Sequence, residues 1–322
     1  MKGLDLSRRM FDEAGLPLIE RRLPECVPHI AAGLSGGSEA HGNDDEVSRD
    51  HSWGPRFVVW LVGEDYRRFS EPLRRVLEKL PTEYLGYTWR VPPPVEFPVF
   101  EAGQYIQERV GFDTPPKDDV AWLRIPEPYL FEITRTPVFF DPSGEVTRRF
   151  KAFECYPEDV WRHRLSGCLL WCWEWGVKHL QRAEKRGHFV TAALRWADFA
   201  TYAMKVGFLL NRTYAPYHKW LFHEFTKLPT LAPEVTPIIE EGFHDAGRST
   251  ERVERIGRLY TDYLMAAGYQ PLRRAEVEPW RVAYPEHALL GVSKALQEAI
   301  TTPAVRELST AAEVALPPTQ ST

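Results

Sequence analysis

The stretch GLSGGSEAHGNDDEVSRDHSWGPRF, residues 33–57, decides how the first half of the chain folds. It holds five glycines, five carboxylates, two histidines and four serines. The short apolar run HIAAGL leads into it and the β-branched and aromatic run RFVVWLVG follows it, so both flanks predict buried strands. A polar segment this dense between two buried strands predicts a loop with a chemical role.

The first part of this stretch predicts a phosphate-binding turn. Gly36 and Gly37 let the backbone turn sharply and approach a ligand without a side-chain clash. If a helix begins near Ser38, its free backbone N–H groups and the serine hydroxyl favour an anion such as phosphate. An ordinary tight turn is the competing interpretation.

The second part of the stretch predicts a metal site. Asp44, Asp45, Glu46 and Asp50 come shortly before the second strand. Mg²⁺ prefers oxygen ligands and usually binds one or two protein carboxylates together with phosphates and water. Asp44, Asp45 and Asp50 are therefore candidate metal ligands beside the glycine turn, and a solvated acidic loop is the alternative.

The rest of the first half alternates strands with helices. The periodicity predicts a helix over residues 64–81 despite Pro72, a strand over 84–91 and a helix over 101–111. Residues 136–150 predict a strand, a Pro-Ser-Gly turn and a second strand.

The second half has a different pattern. From about Tyr156 onward, long segments show the helical period and almost no strand pattern. We therefore predict an α+β fold, with a small mixed β-sheet domain with helices over residues 1–152 and an α-helical bundle domain over residues 153–308. Residues 309–322 have few core-forming side chains and predict a flexible tail.

Composition excludes several functional classes. The 322-residue chain is 43% hydrophobic and 26% charged, with a net charge of -5, which is typical of a globular protein and does not indicate DNA binding. It shows no apolar run of the ~18 residues that a membrane helix needs and no signal peptide, so we expect a cytoplasmic protein without a membrane partner. The four cysteines are too few for a disulfide framework, and Cys168 and Cys172 are predicted core residues rather than a metal pair.

The glycine turn and the acidic segment together resemble the nucleotidyltransferase superfamily of the polymerase-beta type. In that superfamily a Gly-Ser at the start of a helix is followed, about a dozen residues later, by Asp-x-Asp on a strand. A closer resemblance, over most of the chain, is to DUF4037, a bacterial family of unknown function often described as nucleotidyltransferase-like. The shared pattern here comprises Gly37-Ser38-Glu39, Gly42, Asp44-Asp45-Glu46, Ser48-Arg49-Asp50-His51 and Trp53-Gly54-Pro55-Arg56, and continues through TPVFFDPSGEVT and FLLNRTYAPYHKWLFHEFTKLP.

The resemblance implies a nucleotidyltransferase-like first domain that binds ATP or another nucleoside triphosphate with Mg²⁺ or Mn²⁺. Gly36, Gly37 and Ser38 would hold the triphosphate, and Asp50 matches the first carboxylate of Asp-x-Asp. Ser52 stands where the superfamily has the second carboxylate. A hydroxyl can bind Mg²⁺ but carries no charge, so a two-metal site would lose one anionic ligand.

Two rescues of this site remain open. Asp44 or Asp45 would join Asp50 at the metal, or His51 would supply a ligand or a base. The superfamily takes its third carboxylate from a later strand, and Asp141 is the best-placed candidate, with Glu132 behind it. A simple turn residue before Pro142 is an equally good interpretation of Asp141.

The helical half contains a segment that resembles the wall of such an active site. In LLNRTYAPYHKWLF, Arg212 and Lys219 could neutralise phosphate, while Tyr217 or Tyr214 could stack on a base or ribose. Pro216 suits the first turn of a second helix. A capped corner between two helices is the alternative.

Three functions follow. The first is a Mg²⁺-dependent nucleotidyltransferase that moves a nucleoside monophosphate to a hydroxyl of an unknown acceptor, which is a small molecule, a protein or RNA. The second is a nucleotide-binding regulatory protein that has lost turnover, because Ser52 replaces the second carboxylate. The third is a metal-dependent hydrolase that uses His41, His51 and the acids.

Overall fold

The computed structural model describes residues 1–50, 53–88, 97–245, 249–272 and 288–309, without the side chain of Asp50. Backbone contacts divide the chain into two compact units. The first comprises residues 1–115 and 129–154, and the second comprises residues 116–128 and 155–322. The predicted division after residue 152 places residues 116–128 in the first domain, whereas their contacts are with the second unit.

Helices dominate both units. In chain order they are α1 (Gly3–Met10), α2 (Leu16–Arg22), α3 (Gly37–Ala40), α4 (Gly63–Leu77), α5 (Ala102–Val110), α6 (Asp119–Leu123), α7 (Glu127–Arg135), α8 (Glu145–Lys151), α9 (Glu158–Cys172), α10 (Gln181–Lys185), α11 (Phe189–Leu210), α12 (Leu221–Phe225), α13 (Ala232–His244), α14 (Ser249–Ala266), α15 (Ala288–Glu298) and α16 (Pro303–Arg306). Phe11–Gly15 and Trp173–Leu180 are π-helical, and Pro24–His29 and Val47–Asp50 are 3-10 helices.

The strands among the described residues lie in the first unit. They are β1 (Ala31–Gly33), β2 (Val58–Leu61), β3 (Glu83–Tyr84), β4 (Tyr87–Thr88), β5 (Val99–Glu101) and β6 (Val138–Phe140). Four of them form a mixed sheet in the order β5-β2-β1-β6, in which β1 is antiparallel to both neighbours and β2 is parallel to β5. The predicted α+β architecture, with a small mixed sheet and a helical region, is confirmed.

Strand β2 is buried on both faces, as its uninterrupted apolar run predicts. On one face Trp60 packs edge-on against Tyr105 and Phe150, with ring centroids 5.4 Å apart in both pairs. On the other face Val59 and Leu61 join a core that includes apolar side chains of α4. The buried pair β1 and β2 therefore anchors both ends of the segment between them.

Two strand predictions were wrong. Residues 84–91 were expected to form one strand, but Leu85 and Gly86, both with positive φ, turn the chain into the short β3–β4 hairpin, and residues 89–91 lie outside the description. The expected second strand within 136–150 is helix α8 instead. Gly144 has a φ of 66°, and Asp141 accepts from the Thr147 backbone N–H, so the turn begins a helix.

The second unit is helical, as predicted. Helix α9 packs between α11 and α15. At its contact with α15, the Ser166 and Ser293 hydroxyls each donate to the other residue's carbonyl at 2.8 Å. Cys168 and Cys172 are buried, and burial raises the pKa of the Cys168 thiol to about 12, so that both are core residues as expected. In the part of the chain that the structure describes, no helix has the length and apolarity to cross a bilayer.

Candidate functional site

A tight glycine turn connects β1 to α3. Gly36 and Gly37 have φ values of 67° and 81°, a left-handed conformation that glycine adopts without steric cost. A side chain at Gly37 would also collide with the carboxylate of Glu39. Helix α3 begins at Gly37, so the expected Gly-Ser at a helix start, directly after a buried strand, is present.

Arg56 holds this turn from inside the unit. Its guanidinium donates to the Ser35 carbonyl at 2.9 Å and to the Gly36 carbonyl at 3.0 Å. It also donates to Glu39 Oε1 at 2.6 Å, and the two side chains are only 13% and 4% exposed. Because two successive carbonyls face the guanidinium, Arg56 fixes the backbone of the turn. Sequence reasoning quoted Arg56 only as part of a motif and missed this role.

Helices α5 and α7 contribute polar groups next to the same turn. The hydroxyls of Ser35 and Tyr105 are 2.6 Å apart, and the Arg109 guanidinium lies 3.6 Å from the centre of the Tyr105 ring. Arg109 Nε is 3.8 Å from Glu132 Oε1, and a side chain at Gly36 would meet that oxygen at 3.9 Å. Glu132, the second choice for a third carboxylate, therefore lies against the glycine turn.

Asp44 is a structural carboxylate. Its side chain is 1% exposed, and Oδ2 accepts from the Gly3 backbone N–H at 2.8 Å and from Trp53 Nε1 at 3.0 Å. The Lys2 ammonium lies 3.6 Å from Oδ1 and also donates to the Asp44 carbonyl. These donors tie the acidic segment to the N-terminus of α1, which explains why this carboxylate is buried.

Asp45 is exposed and stabilises the short helix that follows it. Its Oδ1 accepts from the Ser48 backbone N–H and from the Ser48 hydroxyl, both at 2.8 Å. Asp50 ends that 3-10 helix, whereas we expected it on an extended strand with Ser52. The Asp50 side chain, His51 and Ser52 lie outside the described residues.

Asp141 lies at the opposite end of the sheet from the glycine turn. In the antiparallel pairing of β1 with β6, Gly33 is opposite Val138 and Ala32 is opposite Phe140. The chain beyond Phe140 therefore reaches the start of β1, while Gly36 follows its end. Both Asp141 oxygens accept hydrogen bonds: Oδ2 accepts from the Thr147 N–H and hydroxyl at 2.8 Å, and Oδ1 from the Ser143 hydroxyl at 3.1 Å.

The described carboxylates do not make a metal site by themselves. Within the described residues, His, Cys, Asp and Glu side chains form no cluster of three or more that could hold an ion. Asp44 accepts hydrogen bonds from protein N–H groups, and Asp45 Oδ1 is bonded to Ser48. The metal-ligand predictions for Asp50 and Ser52 concern side chains that lie outside the described residues.

The second unit holds the other predicted nucleotide-binding residues. Arg212 pairs with Glu158 at 2.8 Å, and its guanidinium covers the Trp161 ring at 3.5 Å from the centroid. Tyr217 and Lys219 are exposed and lie in a loop that extends to the start of α12 at Leu221. The helix that we expected to begin near Pro216 therefore begins at Leu221.

A small pocket lies beside Arg212 in the same unit. Its walls include Trp161, Tyr156 and Tyr214, and the rings of the two tyrosines meet edge-on at 4.7 Å. Tyr214 is 2% exposed, so its ring fills the core of the unit and is not an open stacking surface for a base.

A half-buried charged centre next to Tyr156, formed by Glu127, Arg164 and Lys205, was not predicted from the sequence. Burial raises the pKa of the Glu127 carboxyl, while Lys205, Arg164 and the Ala215 backbone N–H favour its ionised form. Glu127 Oε1 has no contact with solvent and no hydrogen-bond partner among the described residues. Its partners come from three distant parts of the sequence, which is why no local pattern reveals the centre.

Part of the chain is similar to a known protein family. Residues 122–221 match DUF4037, a domain of unknown function. The predicted resemblance to DUF4037 is confirmed over these residues. A solved structure, that of a nucleotidyltransferase-like protein from Exiguobacterium sibiricum, is similar at 10% identity and a TM-score of 0.32, over 92% of this chain and 88% of that chain. No curated protein matches the chain.

The DUF4037 segment, residues 122–221, contains the charged centre and the loop that carries Arg212, Tyr217 and Lys219. The glycine turn and the acidic segment precede it in the sequence. The family match therefore covers the helical candidate residues, and the candidate phosphate site rests on its own geometry.

Proposed function

We propose that this chain is a nucleotidyltransferase that transfers a nucleoside monophosphate from ATP, or from another nucleoside triphosphate, to a hydroxyl of its acceptor. The observation that carries the proposal is the glycine turn, in which Gly37 and Ser38 begin a helix directly after buried strand β1. Arg56 holds the turn in this conformation before any ligand binds, because it binds the Ser35 and Gly36 carbonyls.

The turn would act on the nucleotide by position and charge. Its backbone N–H groups would hold the triphosphate tail, and Arg109, which pairs with Glu132 next to the turn, would add positive charge. Mg²⁺ would be held by Asp50 and Ser52, and when bound it would neutralise charge on the phosphates. Phosphoryl-type transfers depend mainly on such positioning and electrostatic stabilisation.

The proposal gives Glu132 the role first considered for Asp141. Glu132 lies against the turn, whereas Asp141 caps α8 at the other end of β1. A carboxylate within reach of the acceptor hydroxyl can accept its proton during transfer. The Arg109 guanidinium, whose Nε lies 3.8 Å from Glu132 Oε1, would orient this carboxylate toward the turn.

A second candidate is nucleotide binding without turnover. It is favoured by Ser52, which leaves the metal one negative ligand short of the Asp-x-Asp pattern, and by Glu39, whose carboxylate lies over Gly37. In this case the chain would respond to nucleotide but release no pyrophosphate.

Binding and transfer are measured separately. Equilibrium dialysis with labelled ATP, GTP, CTP and UTP, with Mg²⁺ or with EDTA, reports binding. Release of pyrophosphate in the presence of small hydroxyl compounds, protein or RNA reports transfer and the acceptor class. Binding together with pyrophosphate release supports the transferase, and binding alone supports the second candidate. If none of the four nucleotides binds at millimolar concentration, both candidates are wrong.

Three variants assign the effect to the site. Asp50→Asn should weaken Mg²⁺-dependent binding at least tenfold, while Asp12→Asn, the same change at an exposed position of the first unit, should leave it unchanged. Ser52→Asp restores the missing carboxylate and should raise the transfer rate. A large loss of thermal stability in Asp50→Asn would instead identify Asp50 as a structural residue.

A further inference from the structure

Helix α11 begins with an apolar surface. Its first six residues, FVTAAL, carry no charge, and five of the six are exposed. Phe189 is 76% exposed, Val190 77% and Leu194 57%. A surface helix normally presents polar side chains to solvent. Large apolar side chains exposed together indicate a surface that another molecule covers.

These side chains form one continuous stripe. At 3.6 residues per turn, Phe189, Ala193, Val190 and Leu194 follow one another around α11 within an arc of roughly 140°. Phe189, at one edge of the stripe, lies on the same side of α11 as Trp196, which is buried two turns further along the helix.

Helix α13 extends the stripe at its edge. The Asn211 side chain bonds the Thr230 backbone at 3.0 Å, which joins the end of α11 to the start of α13. At the other end of α13, Gly242 packs on Trp196, and the Phe243 ring lies 6.2 Å from the Trp196 ring. The two helices are therefore antiparallel, and Phe243, which is 59% exposed, adds a second aromatic ring. We name Phe189, Val190, Ala193, Leu194 and Phe243 the α11 patch.

The charges around the α11 patch have opposite signs on its two sides. Exposed Lys185 and Arg186 precede α11 at the end of α10. Exposed Glu240 lies one turn before Phe243 on α13. In a two-fold pairing, each residue of one surface meets the complementary residue of the same surface on the other copy. A basic side and an acidic side on one patch satisfy this condition.

We propose that two copies of this chain form a two-fold symmetric dimer through the α11 patch, with the two α11 helices antiparallel and the axis near Ala193. Aromatic side chains have areas of about 150–250 Å², so the patch presents roughly 500 Å² per copy. Complete burial of both patches would remove about 1,000 Å² from solvent, which is the minimum for a biological interface, so we expect a weak dimer. The basic turn of one copy then lies toward Glu240 of the other.

Sedimentation equilibrium of the full chain tests the dimer. From about 1 to about 100 µM protein, a range that spans micromolar affinities, the mass should rise toward twice the 37.2 kDa of one chain. Val190→Glu and Phe243→Glu, on two different helices, should each weaken association at least 100-fold, because each places two negative charges in a desolvated interface. Val47→Glu is the matched control, since Val47 is 80% exposed in the other unit, and it should leave the mass unchanged.

A charge reversal tests the geometry of the pairing. Glu240→Lys and Arg186→Glu alone should each raise the dimer dissociation constant about five- to tenfold, and the double variant should recover most of that loss. The circular dichroism and thermal midpoint of every variant show whether it folds. A wild-type chain that stays monomeric throughout the concentration range overturns the proposal. A dimer that both folded patch variants leave intact overturns it as well.

Discussion

The glycine turn of the first unit and the charged centre of the second each bring an arginine close to a glutamate, but the two carboxylates differ in their hydrogen bonds. Arg56 donates to two carbonyls and to Glu39, so the acid and the backbone around it have partners. In the charged centre, Glu127 accepts from the Ala215 N–H, yet its buried Oε1 has no hydrogen-bond partner among the described residues.

Groups that have all their hydrogen-bond partners stabilise the fold, whereas groups that lack a partner can respond to a ligand or to a change in pH. A satisfied buried pair is costly to break and has little to offer a ligand. An under-satisfied buried carboxyl has a raised pKa and titrates at the expense of stability. Both Asp141 oxygens accept hydrogen bonds, whereas Asp44 accepts at Oδ2 and has a buried Oδ1 that only the Lys2 ammonium approaches, at 3.6 Å. Both carboxylates thus serve the local fold, and the backbone of the glycine turn is the described group that we propose for a ligand.

Breaking the satisfied pair should have the largest effect. Arg56→Met removes the guanidinium and leaves Glu39, which is 4% exposed, without its cation. We expect a loss of about 3–5 kcal/mol in the free energy of unfolding, measured by urea denaturation. Arg67→Met is the control, because Arg67 and its partner Glu64 are 70% and 84% exposed and their pair contributes little.

The double variant Arg56→Met with Glu39→Gln shows whether the loss comes from the stranded charge. It should recover part of the stability, because a neutral amide costs less free energy to leave in the interior than an unpaired carboxylate. Equal losses in the single and the double variant would contradict the role given to Arg56.

The charged centre should be sensitive to acid through His163, which neighbours Arg164. Burial and Arg164 lower the pKa of His163 to about 4, whereas the unfolded chain has the ordinary value of 6.5. The unfolded state therefore binds more protons between these values, and stability falls as the pH drops through this window, by about 3 kcal/mol in total. His163→Leu should lose less stability than wild type as the pH falls from the ordinary value toward the folded one.

Urea denaturation at the two ends of this pH window measures the difference. His244→Gln, a change at an exposed histidine, should keep the acid sensitivity of the wild type. If His163→Leu and wild type lose the same stability, His163 is not the group that titrates.

Asp141 sharpens the comparison within the first unit. Asp141→Asn should cost about 1 kcal/mol of stability, because it weakens the hydrogen bonds that begin α8. The affinity for nucleotide should not change, since Asp141 lies beyond the other end of β1 from Gly36. Thermal denaturation and equilibrium dialysis on the same variant check both expectations, and a tenfold loss of affinity would return Asp141 to the site.

The smallest expected effect is at Glu127. Because its pKa is raised above the ordinary value of 4.5, the folded chain binds the Glu127 proton more tightly than the unfolded chain does. The stability that this proton contributes is full below pH 4.5 and is lost as the pH rises through the pKa of the folded state. Glu127→Gln should therefore gain stability relative to wild type as the pH rises from the ordinary value toward neutrality. Melting temperatures across this range report the trend, and a trend in the opposite direction would show that Arg164 and Lys205 outweigh burial.

The sequence was informative where the determinants are local. The apolar runs predicted β1 and β2, the periodicity predicted α4 through Pro72, and the two glycines predicted the turn before α3. Helix α8 was missed because the same Asp-Pro-Ser-Gly turn can precede a strand or a helix. What decides is the bond from Thr147 to Asp141.

The partners of the acidic side chains could not be predicted, because these partners lie far away in the sequence. Asp44 is held by Gly3, 41 residues away, and Glu39 by Arg56, which lies across the acidic segment. Glu127 meets its cations only after α9 and α11 have packed. A pattern of carboxylates shows which chemistry is available, and the tertiary contacts decide which carboxylates remain for a ligand.

A crystal structure with a non-hydrolysable ATP analogue and Mg²⁺ tests the central claim, that the glycine turn holds the nucleotide, most directly. We predict that phosphate oxygens lie within hydrogen-bond distance, about 2.7–3.2 Å, of the backbone N–H groups of Gly37 and Ser38. Arg56 should keep its bonds to the Ser35 and Gly36 carbonyls in that complex. A triphosphate bound elsewhere on the chain, with the turn left without a ligand, would contradict the account.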